Sequence, residues 1–385
     1  MAINISKLLS AISAKAVNAD SSQSIIELNR LSQAVTLAND VQHARIYSSL
    51  ASLPTADSSN VGDIVRVGTT LDSDITKYYV SHGDKWKLIT LQDSASIAQG
   101  PVPYSFQGSN FGYRSGGTSG SPFTELNVIE KFPFTSDANA SDVGDLTVAR
   151  QNTTGQSSTT SGYTSGGSTN VIDKFPFASD ANATDVGDLT VNRGYSAGQS
   201  SADNGYTSGG DQAPAKNVID KFPFASDGNA SDVGDLTVAR QGGTGQSSTT
   251  NGYTSGGTTP PIVNTIDKFP FAADANASDV GDLTSGRYRN AGQSSTTSGY
   301  TSGGSPSTNI IDKFPFSSDA NATDVGDLTV ARFGPAGQSS TLSGYTSGGY
   351  GSLVTIDKFS FSSDGNASDV GDLTVSVFDT AGQQY

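Results

Sequence analysis

The sequence predicts a mainly β protein whose larger part is a six-bladed propeller, and three observations support this prediction. The motif Asp-Val-Gly-Asp-Leu occurs six times at intervals of about 45 residues, beginning at Asp142, Asp185, Asp232, Asp279, Asp324 and Asp369. A Gly-Tyr-x-Ser-Gly-Gly element precedes each copy, beginning at Gly112, Gly162, Gly205, Gly252, Gly299 and Gly344. Residues 1–60 contain no glycine, whereas 40 of the 44 glycines lie in residues 101–385, so the chain becomes turn-rich in its second part.

Each repeat contains four candidate strands, which is the size of one propeller blade. In the second copy they are Gly155–Thr159, Gly162–Gly166, Asn170–Phe177 and Val186–Val191. In the third strand, alternation places Val171, Asp173, Phe175 and Phe177 on one face and Ile172 and Lys174 on the other. A β-helix is the competing architecture, although its rungs are usually nearer half this length.

A displaced strand motif predicts how the ring closes. A Gly-Gln pair starts a unit seven residues before each Gly-Tyr from the second copy onward, but none precedes Gly112. The sixth pair, Gly382-Gln383, stands alone near the C-terminus. We therefore predict that residues 380–385 supply the missing strand of blade 1, which would also hide edge strands. The alternative is that Tyr104–Ser109 fills that place.

Two different segments precede the repeats. In residues 1–45, Ile5, Leu8, Ile12 and Ala16 form one apolar stripe and Leu28, Leu31, Val35 and Ala38 a second, which predicts a helical stalk that self-associates. A single amphipathic helix packed on its own protein is the alternative. Residues 46–100 predict a small antiparallel β module, with strands at Gly62–Val67, Lys77–Val80 and Lys85–Ile89 and a hairpin turn at His82-Gly83-Asp84.

An acidic motif in each repeat is the candidate metal site. Its first copy is Asp137, Asn139, Ser141, Asp142 and Asp145, and the equivalents in the second copy are Asp180, Asn182, Asp185 and Asp188. Oxygen ligands at alternate positions suit calcium, although the spacing is not that of an EF-hand. The alternative is an Asx turn, in which the side chains bond the backbone just ahead. Calcium is the one cofactor that the sequence leaves open.

Charged residues in the repeats predict structural pairing. The third strand carries Asp173 and Lys174, or Glu130 and Lys131 in the first copy, on opposite faces, and we expect exposed pairing between blades. An arginine follows the acidic motif in five repeats, at Arg150, Arg193, Arg240, Arg287 and Arg332, whereas the sixth has Val377. A residue missing from one blade suits a structural role better than a single active site.

Composition disfavours several functional classes. The chain has no cysteine, and its two histidines, His43 and His82, leave little for a transition-metal site. The net charge of -15 disfavours binding to nucleic acid and to anionic lipid. No apolar run approaches a membrane span of about 20 residues, and the N-terminus lacks a Sec signal pattern. Because no histidine lies in the repeats to activate a serine, we expect no enzyme, with a carboxylate-only glycosidase as the remaining catalytic option.

Variation between repeats is concentrated in the loops before the third strand. They are Thr118–Leu126, Ser168–Thr169, Asp211–Lys216, Thr258–Asn264, Ser305–Thr308 and Tyr350–Leu353. Variable loops on a rigid scaffold are where recognition usually resides, and neutral drift in exposed loops is the alternative.

Two resemblances follow from these motifs. The Gly-Gly pair after an aromatic strand, followed by a strand ending in Asp-Lys-Phe, resembles the kelch repeat over residues 105–385, without the usual kelch tryptophan. The order of stalk, β module and repeats of Asp-Lys-Phe-Pro-Phe and Asp-Val-Gly-Asp-Leu-Thr resembles fibre or appendage proteins of tailed bacteriophages that infect marine bacteria and cyanobacteria.

The phage resemblance implies a virion protein that docks on other virion proteins through its N-terminal region. It also implies a homotrimer whose propeller binds a host surface receptor, either a glycan or an envelope protein. A purely structural role in the particle and a non-viral kelch-like scaffold are the alternatives.

Overall fold

The computed structural model describes residues 107–385, apart from 212–213 and 352, together with four short strands between residues 45 and 89. The chain divides into two units, Met1–Gly100 and Pro101–Tyr385, and the division falls where glycine becomes abundant. The described residues contain strands and turns but no helix. The helical stalk predicted for residues 1–45 lies outside them, apart from Arg45 at its end.

The first unit contains a four-stranded sheet of Arg45–Tyr47, Ile64–Val67, Lys77–Ser81 and Trp86–Ile89, in that order. The last three strands pair antiparallel and lie where the sequence predicted them. The prediction of a purely antiparallel sheet is wrong, because Arg45–Tyr47 pairs parallel to Ile64–Val67. A parallel partner needs a longer connection than a hairpin, and alternation within the later strands gives no sign of it.

The second unit is a six-bladed β-propeller, as the sequence predicted, and each blade is a four-stranded antiparallel sheet. Glycine pairs end the second strand of each blade, as at Gly166 and Gly167, whose φ angles of +71° and +93° favour glycine. From the innermost strand outward, the strands of blades 1 to 3 are Ala381–Gln384, Phe111–Ser115, Val128–Pro133 and Ser141–Asp145; Thr153–Ser157, Ser161–Gly166, Thr169–Pro176 and Thr184–Arg193; and Ala197–Ser200, Asn204–Ser208, Val218–Pro223 and Ser231–Asp235.

The strands of blades 4 to 6, in the same order, are Thr244–Ser247, Asn251–Ser255, Thr265–Pro270 and Ser278–Asp282; Ala291–Ser294, Ser298–Ser302, Thr308–Pro315 and Thr323–Arg332; and Ala336–Ser339, Ser343–Ser347, Thr355–Ser360 and Ser368–Asp372. A further two-stranded ribbon, Thr118–Ser119 with Thr124–Glu125, lies within the first variable loop. The four strands predicted for blade 2 match the observed ones to within two residues at every end.

The predicted closure of the ring by the C-terminus is confirmed. Ala381–Gln384 pairs antiparallel with Phe111–Ser115 and forms the innermost strand of blade 1. The alternative is wrong, because Gly108 of that segment forms a parallel bridge with Ser340 instead. The two ends of the propeller therefore meet within one sheet, and that sheet has no missing strand.

Every blade buries both of its faces between two neighbours, as the predicted alternation requires. In blade 2, Ile172 packs with Phe222 of blade 3, whereas Phe175 packs with Tyr113 of blade 1. The tyrosine of each second strand contacts the two phenylalanines of the following blade, as Tyr163 does with Phe222 at 5.5 Å and Phe224 at 4.8 Å between ring centroids. Aromatic pairs therefore fill the interfaces between the blades.

Buried ion pairs confirm the structural role predicted for the arginines. Arg150, at the end of blade 1, lies 3.1 Å from the Asp173 carboxylate in blade 2, and both side chains are buried. Equivalent pairs are Arg193–Asp220, Arg240–Asp267, Arg287–Asp312 and Arg332–Asp357. The expectation of exposed pairing is wrong for these aspartates, because the preceding blade covers them. It holds for the lysines: Lys174 Nζ donates to Asp227 Oδ1 in the next blade at 2.9 Å from a half-exposed position.

Candidate functional site

The predicted calcium residues of the first copy lie at both interfaces of blade 1, with Asp137 and Asn139 bonded to blade 6 and Asp145 bonded to blade 2. Lys358 Nζ donates to Asp137 Oδ1 at 2.8 Å, and the amide of Asp372 donates to Asn139 Oδ1 at 3.1 Å. Asp142 forms an Asx turn, in which its Oδ1 accepts a bond from the Gly144 amide at 3.2 Å. The carbonyl of Asp145 accepts a bond from the Ala183 amide at 2.7 Å. Each of these residues therefore contacts a neighbouring blade or its own turn.

The second copy repeats this arrangement. Lys131 Nζ donates to Asp180 Oδ1 at 2.6 Å, the Asp145 amide donates to Asn182 Oδ1 at 3.1 Å, and Asp185 Oδ1 accepts from the Gly187 amide at 3.2 Å. The carbonyl of Asp188 accepts from the Ala230 amide at 2.7 Å. Among residues 107–385 with the gaps noted above, no group of three or more His, Asp or Glu side chains is placed to hold a metal ion. The side-chain oxygens of Asp137, Asn139 and Asp142, and of their equivalents in the second copy, accept hydrogen bonds within the protein, and calcium binding stays a prediction.

A closed cycle of backbone hydrogen bonds surrounds the propeller axis at the end where the innermost strands begin. Each of its six amides donates to the carbonyl of the equivalent residue in the preceding blade, at 2.6 to 3.0 Å. All six residues have φ between +53° and +70°. We call them the axial ring, and they are Asn152, Tyr195, Gly242, Arg289, Gly334 and Asp379.

The axial ring opens onto a narrow cavity along the axis. Six glycines of the innermost strands form its wall, at positions 155, 198, 245, 292, 337 and 382, and the cavity has a volume of about 90 Å³. The strands approach so closely that a Cβ on Gly245 would lie 2.0 Å from the Gly198 carbonyl oxygen. Each glutamine that follows ties two blades together, as Gln199 Nε2 donates to the Tyr253 carbonyl at 2.9 Å.

Unlike the blades, the axial ring does not repeat: it carries asparagine, tyrosine, arginine and aspartate, with glycine at two positions. Arg289 and Asp379 form an ion pair across it, with Arg289 Nε donating to Asp379 Oδ1 at 2.8 Å. Burial raises the pKa of Asp379, and the Arg289 charge opposes that shift. The guanidinium also lies 4.8 Å from the ring centroid of Phe333 and 5.6 Å from that of Tyr195. The ring therefore has one chemically distinct side.

An aromatic cleft adjoins this side, between blades 6 and 1. We call it the seam cleft; it has a volume of about 250 Å³ and is lined by Phe123, Tyr350 and Phe378 together with Ser119, Ser121 and Ser376. Phe123 comes from the variable loop Thr118–Leu126 and Tyr350 from Tyr350–Leu353. Two of the loops predicted to carry recognition thus meet in one cleft, although residue 352 lies outside the described residues.

The remaining variable loops leave the second strands at the same end as the axial ring. The end of each second strand pairs with the start of the innermost strand, as Gly166 does with Thr153. The predicted loop Ser168–Thr169 is shorter than expected, because the third strand of blade 2 begins at Thr169. In the loop Asp211–Lys216, residues 212–213 lie outside the description. Recognition by any of these loops stays a prediction.

Sequence reasoning missed the axial ring, including Arg289 and Asp379. A signal for it was present: the ring residue always stands three positions before the repeated Gly-Gln pair, within a short segment that differs among blades whose second and third strands are nearly identical. Comparing repeats for what varies, rather than for what they share, would have found it.

Comparison with known proteins does not assign the chain to a family. No protein-family model matches the chain, and a search of curated proteins found no match. Within the part of the chain that is described, no helix has the length and hydrophobicity needed to cross a bilayer.

Proposed function

We propose that this protein is a virion appendage of a tailed bacteriophage whose propeller attaches the particle to a host cell surface. The observation that carries the proposal is the contrast between near-identical blades and one end of the propeller where the residues stop repeating. Rigid scaffolds that vary only at one end are typical of recognition proteins. The resemblance to phage appendage repeats supports the viral context, and the resemblance to kelch repeats supports a binding propeller.

The proposal includes assembly through the N-terminal region. Residues 1–45 would form the helical stalk that joins three copies and docks on other virion proteins. Several propellers on one particle would turn weak single contacts into avid attachment. Comparing by sedimentation the mass of the full chain with that of residues 101–385 tests this part: we expect a trimer and a monomer, respectively. A monomeric full chain would contradict the stalk and favour a free-standing kelch-like binding module.

We propose binding rather than catalysis at the non-repeating end. In the axial ring, the charged groups of Arg289 and Asp379 neutralise each other, and the seam cleft beside it is lined by aromatic and uncharged side chains. Such groups hold a ligand but offer no activated nucleophile and no pair of free carboxylates.

Adsorption competition tests attachment directly. Cells of a susceptible host are incubated with the purified full chain before the phage is added, and the rate of phage adsorption is measured. We expect adsorption to slow as the protein concentration rises. Unchanged adsorption at saturating protein would favour the second role, in which the propeller only decorates or stabilises the particle.

A further inference from the structure

The seam cleft presents exposed aromatic side chains. Phe123 is 63% exposed and Tyr350 is 46% exposed, although both are large apolar residues. Their ring centroids lie 6.4 Å apart, and that of Phe378 lies 5.4 Å from Phe123 and 5.2 Å from Tyr350. Neither Phe123 nor Tyr350 has an equivalent in the other blades, so the requirements of the propeller core do not explain them.

Side chains packed beneath the cleft fix its shape. Phe333 stacks on Tyr350 with 4.7 Å between ring centroids and 15° between ring planes. The Arg289 guanidinium lies over the Phe333 ring and donates a hydrogen bond to Asp379. The tyrosine ring is therefore fixed before any ligand arrives, and binding needs little ordering of this side chain. This arrangement gives the ion pair of the axial ring a role in positioning the cleft.

The polar groups of the cleft are uncharged. They are the hydroxyls of Ser119, Ser121, Ser376 and Tyr350, and none of the described residues lining the cleft is charged. Glycines at 120 and 351 are exposed and leave the backbone uncovered, and a Cβ on Gly351 would meet no atom within 4 Å. Hydroxyls and backbone groups beside exposed aromatic rings match a molecule with a ring of hydroxyls and a flat apolar face.

We propose that the seam cleft binds a neutral pyranose sugar, whose C–H face stacks on Tyr350 and Phe123 while its hydroxyls bond the serines and the exposed backbone. The proposal rests on the attachment function above and specifies its ligand class. A volume of about 250 Å³ is below the usual range of about 300–1,000 Å³ for ligand pockets, which suits one sugar ring at the end of a chain.

The charge of the protein favours a neutral sugar over an acidic one. The chain has a net charge of -15, which repels anionic ligands, and the arginines near the cleft, Arg289 and Arg332, are already paired with Asp379 and Asp357. An apolar peptide or a second copy of the chain fits less well, because it would bury the serine hydroxyls against apolar groups.

Saturation-transfer NMR on the full chain tests the proposal. The probes are the methyl glycosides of glucose, galactose, mannose, rhamnose and N-acetylglucosamine, with N-acetylneuraminic acid as the acidic comparison. We expect at least one neutral glycoside to receive saturation, and the acidic sugar to receive none. In Phe123→Ala and Tyr350→Ala, the affinity of that glycoside should fall about tenfold or more, because each change removes a stacking surface.

Leu342→Ala is the matched control, since Leu342 is 73% exposed, also belongs to blade 6, and lies in the turn between the innermost and second strands, away from the cleft. It should bind like the unchanged protein. Absence of saturation transfer with all neutral glycosides would overturn the proposal, as would binding that survives both cleft changes. If adsorption competition succeeds while the glycosides fail, attachment stands and only the sugar site is wrong. If neither succeeds, both proposals fail.

Discussion

Arg114 Nε donates to Glu130 Oε2 at 2.6 Å, and both side chains are completely buried in blade 1. In the other five blades the carboxylate is an aspartate, and its arginine comes from the end of the preceding blade. Before blade 1 that position is Val377, which packs in the apolar core of blade 6. The arginine has moved to another strand, and the acid is longer by one carbon, so every blade retains one buried pair.

Replacing Arg114 should therefore destabilise the propeller strongly. Arg114→Thr, which introduces the residue of the other five blades, leaves Glu130 buried without its cation and should cost about 3–5 kcal/mol. Denaturant unfolding followed by circular dichroism measures the loss. The triple change Arg114→Thr, Glu130→Asp and Val377→Arg rebuilds the pair of the other blades and should recover most of that stability. A triple variant as unstable as Arg114→Thr would show that the pair is not the cause.

The wall of the axial cavity should not tolerate a methyl group. In Gly245→Ala the new Cβ would meet the backbone oxygen of Gly198, which cannot rotate away, and we expect a loss of about 1–3 kcal/mol or more. Gly228→Ala is the control, because its Cβ would meet nothing within 4 Å, and the thermal midpoint should stay unchanged. Equal effects of the two changes would contradict the close packing of the innermost strands.

Deleting residues 381–385 should open the ring. The deletion removes the innermost strand of blade 1 and exposes the edge of Phe111–Ser115, so we expect a lower thermal midpoint and aggregation. A synthetic peptide of residues 379–385 added in trans should restore part of the midpoint, whereas the same peptide with Gly382→Val should not. A deletion variant that unfolds like the full chain would contradict closure by this strand.

Alkaline pH should unfold the propeller through its buried tyrosines. Burial raises the pKa of Tyr113, Tyr163, Tyr206, Tyr253, Tyr300 and Tyr345, in the case of Tyr253 to about 12. A pKa raised above the unfolded value of about 10 means that stability is fully present below pH 10 and is lost as the pH rises toward 12. Bonds to aspartates raise the pKa of Lys174, Lys313 and Lys358, which act in the same direction.

Absorbance at about 295 nm and circular dichroism measure this loss together. The six buried tyrosines should stay protonated while the sheets are intact and ionise only as the β signal disappears. Ionisation of all 14 tyrosines near pH 10 in the folded protein would contradict the burial of these six.

Calcium should leave the midpoint of thermal unfolding unchanged if the acidic motif serves only as a turn. Asp137 and Asn139 already accept bonds from blade 6, and a cation would have to displace Lys358. Unfolding in the presence of calcium, of magnesium or of a chelator measures this. A midpoint that rises with calcium alone, and rises less in Asn139→Ala, which changes one of the six copies, would support the calcium hypothesis instead.

The sequence predicted the parts of the fold that repetition makes visible. Six copies of one pattern determined the blade count, the strand positions and the displaced strand at Gly382-Gln383. Prediction from the sequence was wrong where a side chain or a strand pairs with a distant element of the chain. The sequence around Asp173 does not indicate that it forms a buried ion pair with Arg150 of the preceding blade. The sequence around Arg45 does not indicate that a strand there pairs in parallel.

The candidate site was predicted only as a set of variable loops. The loops holding Phe123 and Tyr350 lie far apart in sequence, and only closure of the ring brings them together. Arg289 and Asp379 were not predicted as site residues, because a position that differs among repeats cannot be told from neutral variation until the axis of the propeller is known.

The closing strand Ala381–Gln384 also determines which blade is completed last during synthesis. Phe111–Ser115 leaves the ribosome long before Ala381–Gln384, so blade 1 cannot be completed until the other five blades have been made, whereas blades 2 to 6 can form one after another. The innermost strands are also nearly interchangeable, as Ala291–Ser294 and Ala336–Ser339 are identical in sequence. In blades 2 to 6 only three residues separate the innermost strand from its own second strand, so the short hairpin favours pairing within the blade. The edge of Phe111–Ser115 is then the one place left for Ala381–Gln384.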